Sequence, residues 1–413
     1  MSESSSTAGA PRMSAGERRI VAFTSVAHGL NHAVELVYGA VLLVVALEFG
    51  VSCAILGAVS NASALAYAFV AVPAGQAADR LGSRRMVVLS LGGSGVAGVL
   101  AAVAPNVTVL AVALVLMGVM GGLYHPAGLS LISRGVRQRA RALGLHGAAG
   151  NVGTAMAPMA AAGIAGLWSW RGSFLVFAAV SLLVAVLAYR SQVGEHDAVD
   201  GEPERRTDSR AQTLLVPLAL MFVITAGFGF IFRGLTTFLP LHLATNLRFD
   251  LAGFDPVVIG GSFATFALIF GVAGQYLGGE LAERFRRELI IAPVVAVTIP
   301  ALLLMSTASG WVLLTAASVF VFFNFVAHPA SVALISDYAA DRLHGRVYGL
   351  TSLTGFGVGS FAGLAGGLIT ERAGVEWVFV MLAGVASAIV VTGVSLNVSL
   401  RLSRTLASPT RRD

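Results

Sequence analysis

The chain has 413 residues, 56% hydrophobic and 12% charged, with a formal net charge of +6. A soluble domain carries about twice that charged fraction, and several runs of about 18 or more apolar residues predict a polytopic helical membrane protein instead. All basic residues are arginine, which excludes a Walker A loop because that loop needs a lysine on the phosphates; Cys53 is the one cysteine, which excludes an intramolecular disulfide and a cysteine metal site.

Residues 1–17 are polar and rich in Ser, Ala and Gly, and read as a cytoplasmic tail with no cleavable signal peptide before the first span. The first span, read at 19–47, carries His28, Asn31, His32 and Glu35, which fall on one broad helical stripe. Such a face does not look at lipid: an ionisable group there costs about 2.5–3.5 kcal/mol on insertion scales. Burial penalises the charged form of a carboxylate or an imidazole, and both can then exchange protons near neutral pH. Glu35, His28 and His32 are therefore candidate proton-coupling residues, with a helix-packing hydrogen-bond network as the alternative.

The second span, 53–75, runs into Gly75-Gln-Ala-Ala-Asp79-Arg80-Leu-Gly82-Ser-Arg84-Arg85. Its two glycines permit a tight turn before the third span at 86–104. The fourth span, 107–131, contains Tyr124-His125-Pro126, and a proline there removes a helix hydrogen bond and kinks the helix. The fifth, 141–166, carries Gly144, Gly147, Gly150 and Gly153 and then Pro158; small residues let helices approach and slide. Asn151 in this span and Asn61 in the second are candidate cavity residues. After the sixth span, 172–190, residues 191–212 form a long hydrophilic segment of mixed charge, read as a cytoplasmic tether between a six-helix half at 18–190 and another at 213–400.

The second half gives spans at 214–244, 256–280, 288–307, 311–336, 346–370 and 376–399, then a tail at 401–413. Arg233 lies deep inside the seventh. Arginine stays protonated and pairs bidentately with carboxylate, phosphate or phosphonate. Two readings stand: it binds an anionic substrate, or it pairs with Glu35 across the halves. The eighth span, which contains Gln275, ends in Gly279-Glu-Leu-Ala-Glu283-Arg284-Phe-Arg286-Arg287, a degraded copy of the first loop 204 residues on (279 − 75 = 204). The tenth contains Asn324 and His328-Pro329-Ala330, which matches His125-Pro126-Ala127 at an offset of 203 (328 − 125 = 203). The eleventh carries Gly355, Gly359, Gly363 and Gly367. These matches predict a parallel 6+6 duplication. Arginines concentrate in the loops on one side, which places both termini in the cytoplasm.

With both loops in view, the first is similar to the signature of the major facilitator superfamily: Gly, three residues, Asp, Arg, any residue, Gly, any residue, two basic residues. The resemblance implies an all-α protein of twelve transmembrane helices in two pseudo-symmetric halves, a monomer in the cell membrane that transports by alternating access. It also implies a gate built from Gly75, Asp79, Arg80, Gly82, Arg84 and Arg85. Asp79 would meet the start of the eleventh helix near Arg346, and Glu283 with Arg284 would meet the start of the fifth near Arg141. A carboxylate at a helix N-terminus is worth about 0.3–1 kcal/mol. Topogenic charge alone is the other reading of these loops.

His28-Gly-Leu-Asn31-His32 and Tyr124-His125-Pro126-Ala-Gly128 resemble the fosmidomycin-resistance group of exporters within that superfamily. That group carries an acid four residues after the first histidine; here His32 stands there and Glu35 follows one turn later. The expected function is proton-coupled efflux of a small organic anion or drug, and proton-linked uptake of a carboxylate metabolite uses the same residues. Arg233, Asn31, Tyr124, His125, Asn151, His328 and Asn324 are the expected substrate contacts. No Gly-x-Ser-x-Gly elbow or His-Glu-x-x-His motif occurs, so no enzyme, cofactor or metal is expected. A non-transporting membrane sensor is the alternative from another class.

Overall fold

In the computed structural model the described residues are 13–137, 139–190, 193, 214–247, 255–339, 347 and 350–407. The first helix, α1 (Ala15–Phe49), starts on a capping box: the Ser14 side chain accepts from the Glu17 N–H at 3.1 Å, and Glu17 accepts from the Ser14 N–H at 2.8 Å. Glu17 also accepts from the Arg137 N–H at 2.7 Å, which fixes this end of α1 to the turn before α6. The helix thus begins within the stretch read as tail. Gly50, at φ 60°, ends it in the left-handed region that favours glycine.

There follow α2 (Cys53–Leu81), α3 (Ser83–Ala102), α4 (Val107–Gly122), α5 (Tyr124–Gly135), α6 (Arg139–Leu167) and α7 (Trp170–Arg190). The second half holds α8 (Leu215–Asn246), α9 (Pro256–Arg284), α10 (Ile291–Thr307), α11 (Gly310–Tyr338), α12 (Gly359–Ala373) and α13 (Glu376–Ala407). The last runs into the stretch 401–413 read as tail. The tether at 191–212 lies outside the described residues apart from Val193, which is buried. No strand occurs among the described residues.

Among the described residues, eleven segments are long and apolar enough to cross a membrane, with α4 and α5 counted as one span. The fifth expected span is α6. It is 29 residues long and packs between α1 and α9, but its glycines, alanines and polar residues leave it less apolar. A helix buried among helices needs less apolar surface than one facing lipid, so its composition follows from its place.

The two His-Pro copies diverge. Pro126 has no N–H to give the carbonyl four residues back, and the helix breaks at Leu123 between α4 and α5. Pro329 sits inside α11, which stays continuous. In the second half the irregular turn is at Leu353–Val358, a π-helical segment leading into α12; such turns cluster at functional sites.

The halves close on each other at the end of the bundle away from the N-terminus. There a Cβ on Gly57 or Gly367 would strike the backbone across the α2–α12 contact, at Gly363 and Cys53. A Cβ on Gly261 would strike Pro158 across the α6–α9 contact. Pro158 interrupts the ladder of α6, and Met159 N–H donates instead to Thr265 Oγ1 of α9 at 3.0 Å. Nearer the end that carries the N-terminus, a Cβ on Gly144, Gly147 or Gly279 would meet none of the described residues within 4 Å.

Candidate functional site

The stripe on α1 meets α2, α5, α6 and α8 at mid-bundle. Glu35 Oε1 accepts from Arg233 of α8 at 2.9 Å, both side chains being more than four-fifths buried. This is the second of the two readings of Arg233, and it joins the halves. The pair borders a polar cavity of about 30 Å³, lined among others by Asn31, Ser60, Ser63, Tyr67 and Ser94. That volume holds a water or two. Asn31 Nδ2 donates to the Tyr67 hydroxyl at 3.3 Å, and the Ser63 hydroxyl donates to the Leu114 carbonyl at 2.7 Å.

Behind Glu35 runs a chain of imidazoles. His28 Nδ1 lies 2.8 Å from the His146 carbonyl. A carbonyl only accepts, so Nδ1 carries the hydrogen and, in a neutral ring, Nε2 of His28 is an acceptor. His32 Nε2, 3.1 Å away, must then donate to it. That leaves His32 Nδ1 as a lone pair facing another acceptor, Glu35 Oε2, at 3.6 Å. Both atoms are buried without a hydrogen-bond partner. The array is one proton short at this gap.

Aromatic packing holds these rings. His146 stacks on His28 with centroids 4.1 Å apart and 11° between planes. Tyr124 stacks on His28 from 5.6 Å, and its hydroxyl donates to the Thr24 carbonyl. His125 stands edge-on to His28 at 5.0 Å and lies 5.3 Å from His32. From the second half, Phe356 of the π segment packs on Tyr67 at 5.0 Å and on His125 at 6.0 Å. Gly150 makes the room: a Cβ there would lie 2.6 Å from His28 Nδ1.

Of the expected substrate contacts, Arg233 and Asn31 line the cavity. Tyr124 and His125 do not; they sit behind it, against His28. Asn151 lies elsewhere, donating to Gln275 Oε1 of α9 at 2.6 Å across the halves. His328 packs edge-on to Phe228 at 6.0 Å, and Asn324 is buried in α11 away from the cavity lining. Sequence reasoning missed Ser60, Ser63 and Tyr67, whose spacing of three and four puts them on one face of α2. It also missed His146, hidden in a glycine run.

The loop residues take local partners. Gly82 adopts φ 90°, which explains the glycine, while a Cβ on Gly75 would touch only Pro126, at 3.9 Å. Arg84 donates to the Ala188 and Tyr189 carbonyls and so caps the end of α7. Arg80 and Arg85 are exposed. Glu283 is exposed too, and Arg284 pairs with Glu280 on its own helix at 3.1 Å. The side chain of Arg141, the expected partner of Glu283 and Arg284 across the halves, is outside the described residues. The Asp79 side chain, the Arg141 side chain and Arg346 lie outside the described residues.

The family model described as Major Facilitator Superfamily matches residues 22–363, with a second match over 252–408. The chain is 32% identical over 143 residues to the multidrug resistance protein B homolog of Mycobacterium tuberculosis. That match covers 34% of this chain and spans 26% of that protein's length. It is 23% identical over 354 residues to the probable L-galactonate transporter of Escherichia coli, covering 78% of this chain and 76% of that one. Among solved structures, a bacterial homolog of the human lysosomal transporter Spinster, inward-facing and occupied, superposes with a TM-score of 0.76 at 17% identity. The superposition covers 92% of this chain and 96% of that one. Matched along most of its length and folded as a two-half helical bundle, the chain is a multi-pass membrane protein that belongs to the major facilitator superfamily.

Proposed function

We infer that the chain carries a small organic anion together with protons, by alternating access. One observation carries this: the Arg233–Glu35 pair, 2.9 Å apart, joins the two halves at a polar cavity. A substrate carboxylate and Glu35 would compete for the same guanidinium. Protonating Glu35 releases Arg233 to substrate, and the proton gap between His32 and Glu35 gives that proton a place. Burial sharpens the competition, since an unpaired charge there is costly.

The small size of the cavity and the Arg233 guanidinium that lines it favour a small anion over a large drug, and the E. coli relative is named for galactonate. A drug substrate is the second reading, favoured by the multidrug name of the mycobacterial relative. The histidine motifs of α1 and α5 support placement near the fosmidomycin-resistance exporters. The arginine count supports placing both termini and residues 191–212 in the cytoplasm of a cell-membrane protein. Arg80, Arg84, Arg85, Glu283 and Arg284 then belong to the cytoplasmic gate.

The test is flux of labelled galactonate, other small organic acids and a cationic dye in proteoliposomes under an imposed pH gradient. Anion movement with the proton flow is expected, because protonated Glu35 leaves Arg233 to the substrate. Movement against the protons would convert the reading to export. Binding without flux would favour a sensor and sink the transport mechanism.

A further inference from the structure

We propose that His28, His32 and His125 form a binding site for one divalent transition metal ion of the zinc class, tying α1 to α5. Their ligand atoms all lie within 4.8 Å of one another. His28 and His32 stand four residues apart on one helix, the spacing by which a helix offers two imidazoles to one zinc. Their Nε2 atoms are 3.1 Å apart, close to the nitrogen separation of about 3.3 Å that Zn–N bonds of 2.0–2.1 Å give at a tetrahedral angle. His125 supplies the third nitrogen: its Nε2 is buried and without a hydrogen-bond partner.

The outer partners are already in place. A metal-bound imidazole donates its other N–H to a carbonyl or a carboxylate, which fixes the ring. His28 Nδ1 does this to the His146 carbonyl at 2.8 Å. His32 faces Glu35 Oε2 from Nδ1 at 3.6 Å. Metal at Nε2 of His32 requires its one ring proton to sit on Nδ1, where Glu35 accepts it. No proton is gained or lost, and the gap between the two acceptors disappears. The three imidazoles leave a fourth position open. Three neutral nitrogen ligands suit zinc, nickel or copper(II) rather than magnesium or calcium. The site stands on ring nitrogens and does not depend on the direction or the cargo of transport.

The test uses the untagged, purified full chain, with Zn²⁺ followed by calorimetry and Co²⁺ by its visible absorption. One ion per chain and a tetrahedral Co²⁺ spectrum are expected. His125→Ala should weaken binding at least about tenfold, the scale on which lost metal partners act, and His328→Ala should leave it unchanged. His125→Gln serves where the alanine variant loses its monodisperse elution. No saturable binding to the wild-type chain, or equal binding by both His125 variants, would overturn the site. Neither readout involves flux, so failure here is separable from failure of the transport reading.

Discussion

The two halves carry the same His-Pro motif at the same place in the repeat and use it differently. In the first half the helix breaks at Leu123, and His125 joins a cluster with His28 and His32. In the second half α11 runs unbroken through Pro329, and His328 meets Phe228. The stripe on α1 holds two histidines, an asparagine and a glutamate; α8 adds one arginine. Duplication copied the scaffold, while the neighbours decide the chemistry. One half holds groups that can carry protons, and the other supplies a fixed cation.

The sharpest way to break this division is Arg233→Ala. Removing one partner of a buried ion pair costs about 3–5 kcal/mol because the other charge is stranded, so flux should fall at least about 100-fold, with thermal stability lowered as well. Adding Glu35→Gln should restore stability without restoring flux. Unchanged flux in Arg233→Ala would remove the second half from the site.

Glu35→Gln alone should come next. Glutamine keeps the shape but cannot take the proton. The groups facing Glu35 are Arg233 from α8, His32 on its own helix, Tyr67 from α2 and His125 from α5. Net flux driven by a pH gradient should vanish, while exchange of labelled for unlabelled substrate persists and loses its pH dependence. A retained pH profile would shift the coupling to the histidines. Third, His125→Ala should slow flux about tenfold, a barrier change of about 1.4 kcal/mol, and His328→Ala should alter it less than twofold. Equal losses would mean that the two copies still share a role.

Much of this frame was legible beforehand. Charge-bounded apolar runs gave the spans, and the repeated glycine loops and His-Pro motifs gave the duplication. The stripe His28, Asn31, His32 and Glu35 named the working face of α1, because polar residues at helical spacing have nowhere else to go in a membrane. Other contacts were hidden because they depend on how separate helices meet. Nothing local shows that the His146 carbonyl sets the tautomer of His28, or that Asn151 reaches Gln275 rather than the cavity. Tyr124 reads as a cavity residue until its hydroxyl is seen on Thr24. The gate of Glu283 and Arg284 depends on the side chain of Arg141, which is outside the described residues.

The smallest effects, and the most local comparison, lie within α6, where Gly144 and Gly150 look alike in sequence. A Cβ on Gly150 would lie 2.6 Å from the His28 nitrogen that holds the His146 carbonyl. Overpacking of that kind costs about 1–3 kcal/mol, so Gly150→Ala should lower the unfolding temperature and disturb the imidazole array. A Cβ on Gly144 meets none of the described residues within 4 Å. Within a helix, alanine there should stabilise by about 0.5–1 kcal/mol through backbone entropy. The unfolding temperatures should therefore move in opposite directions. Flux adds a second discrimination. If α6 approaches the other half at Gly144 during transport, then Gly144→Ala should be more stable and yet slower. A variant both more stable and equally fast would show that the closing surface lies on other residues.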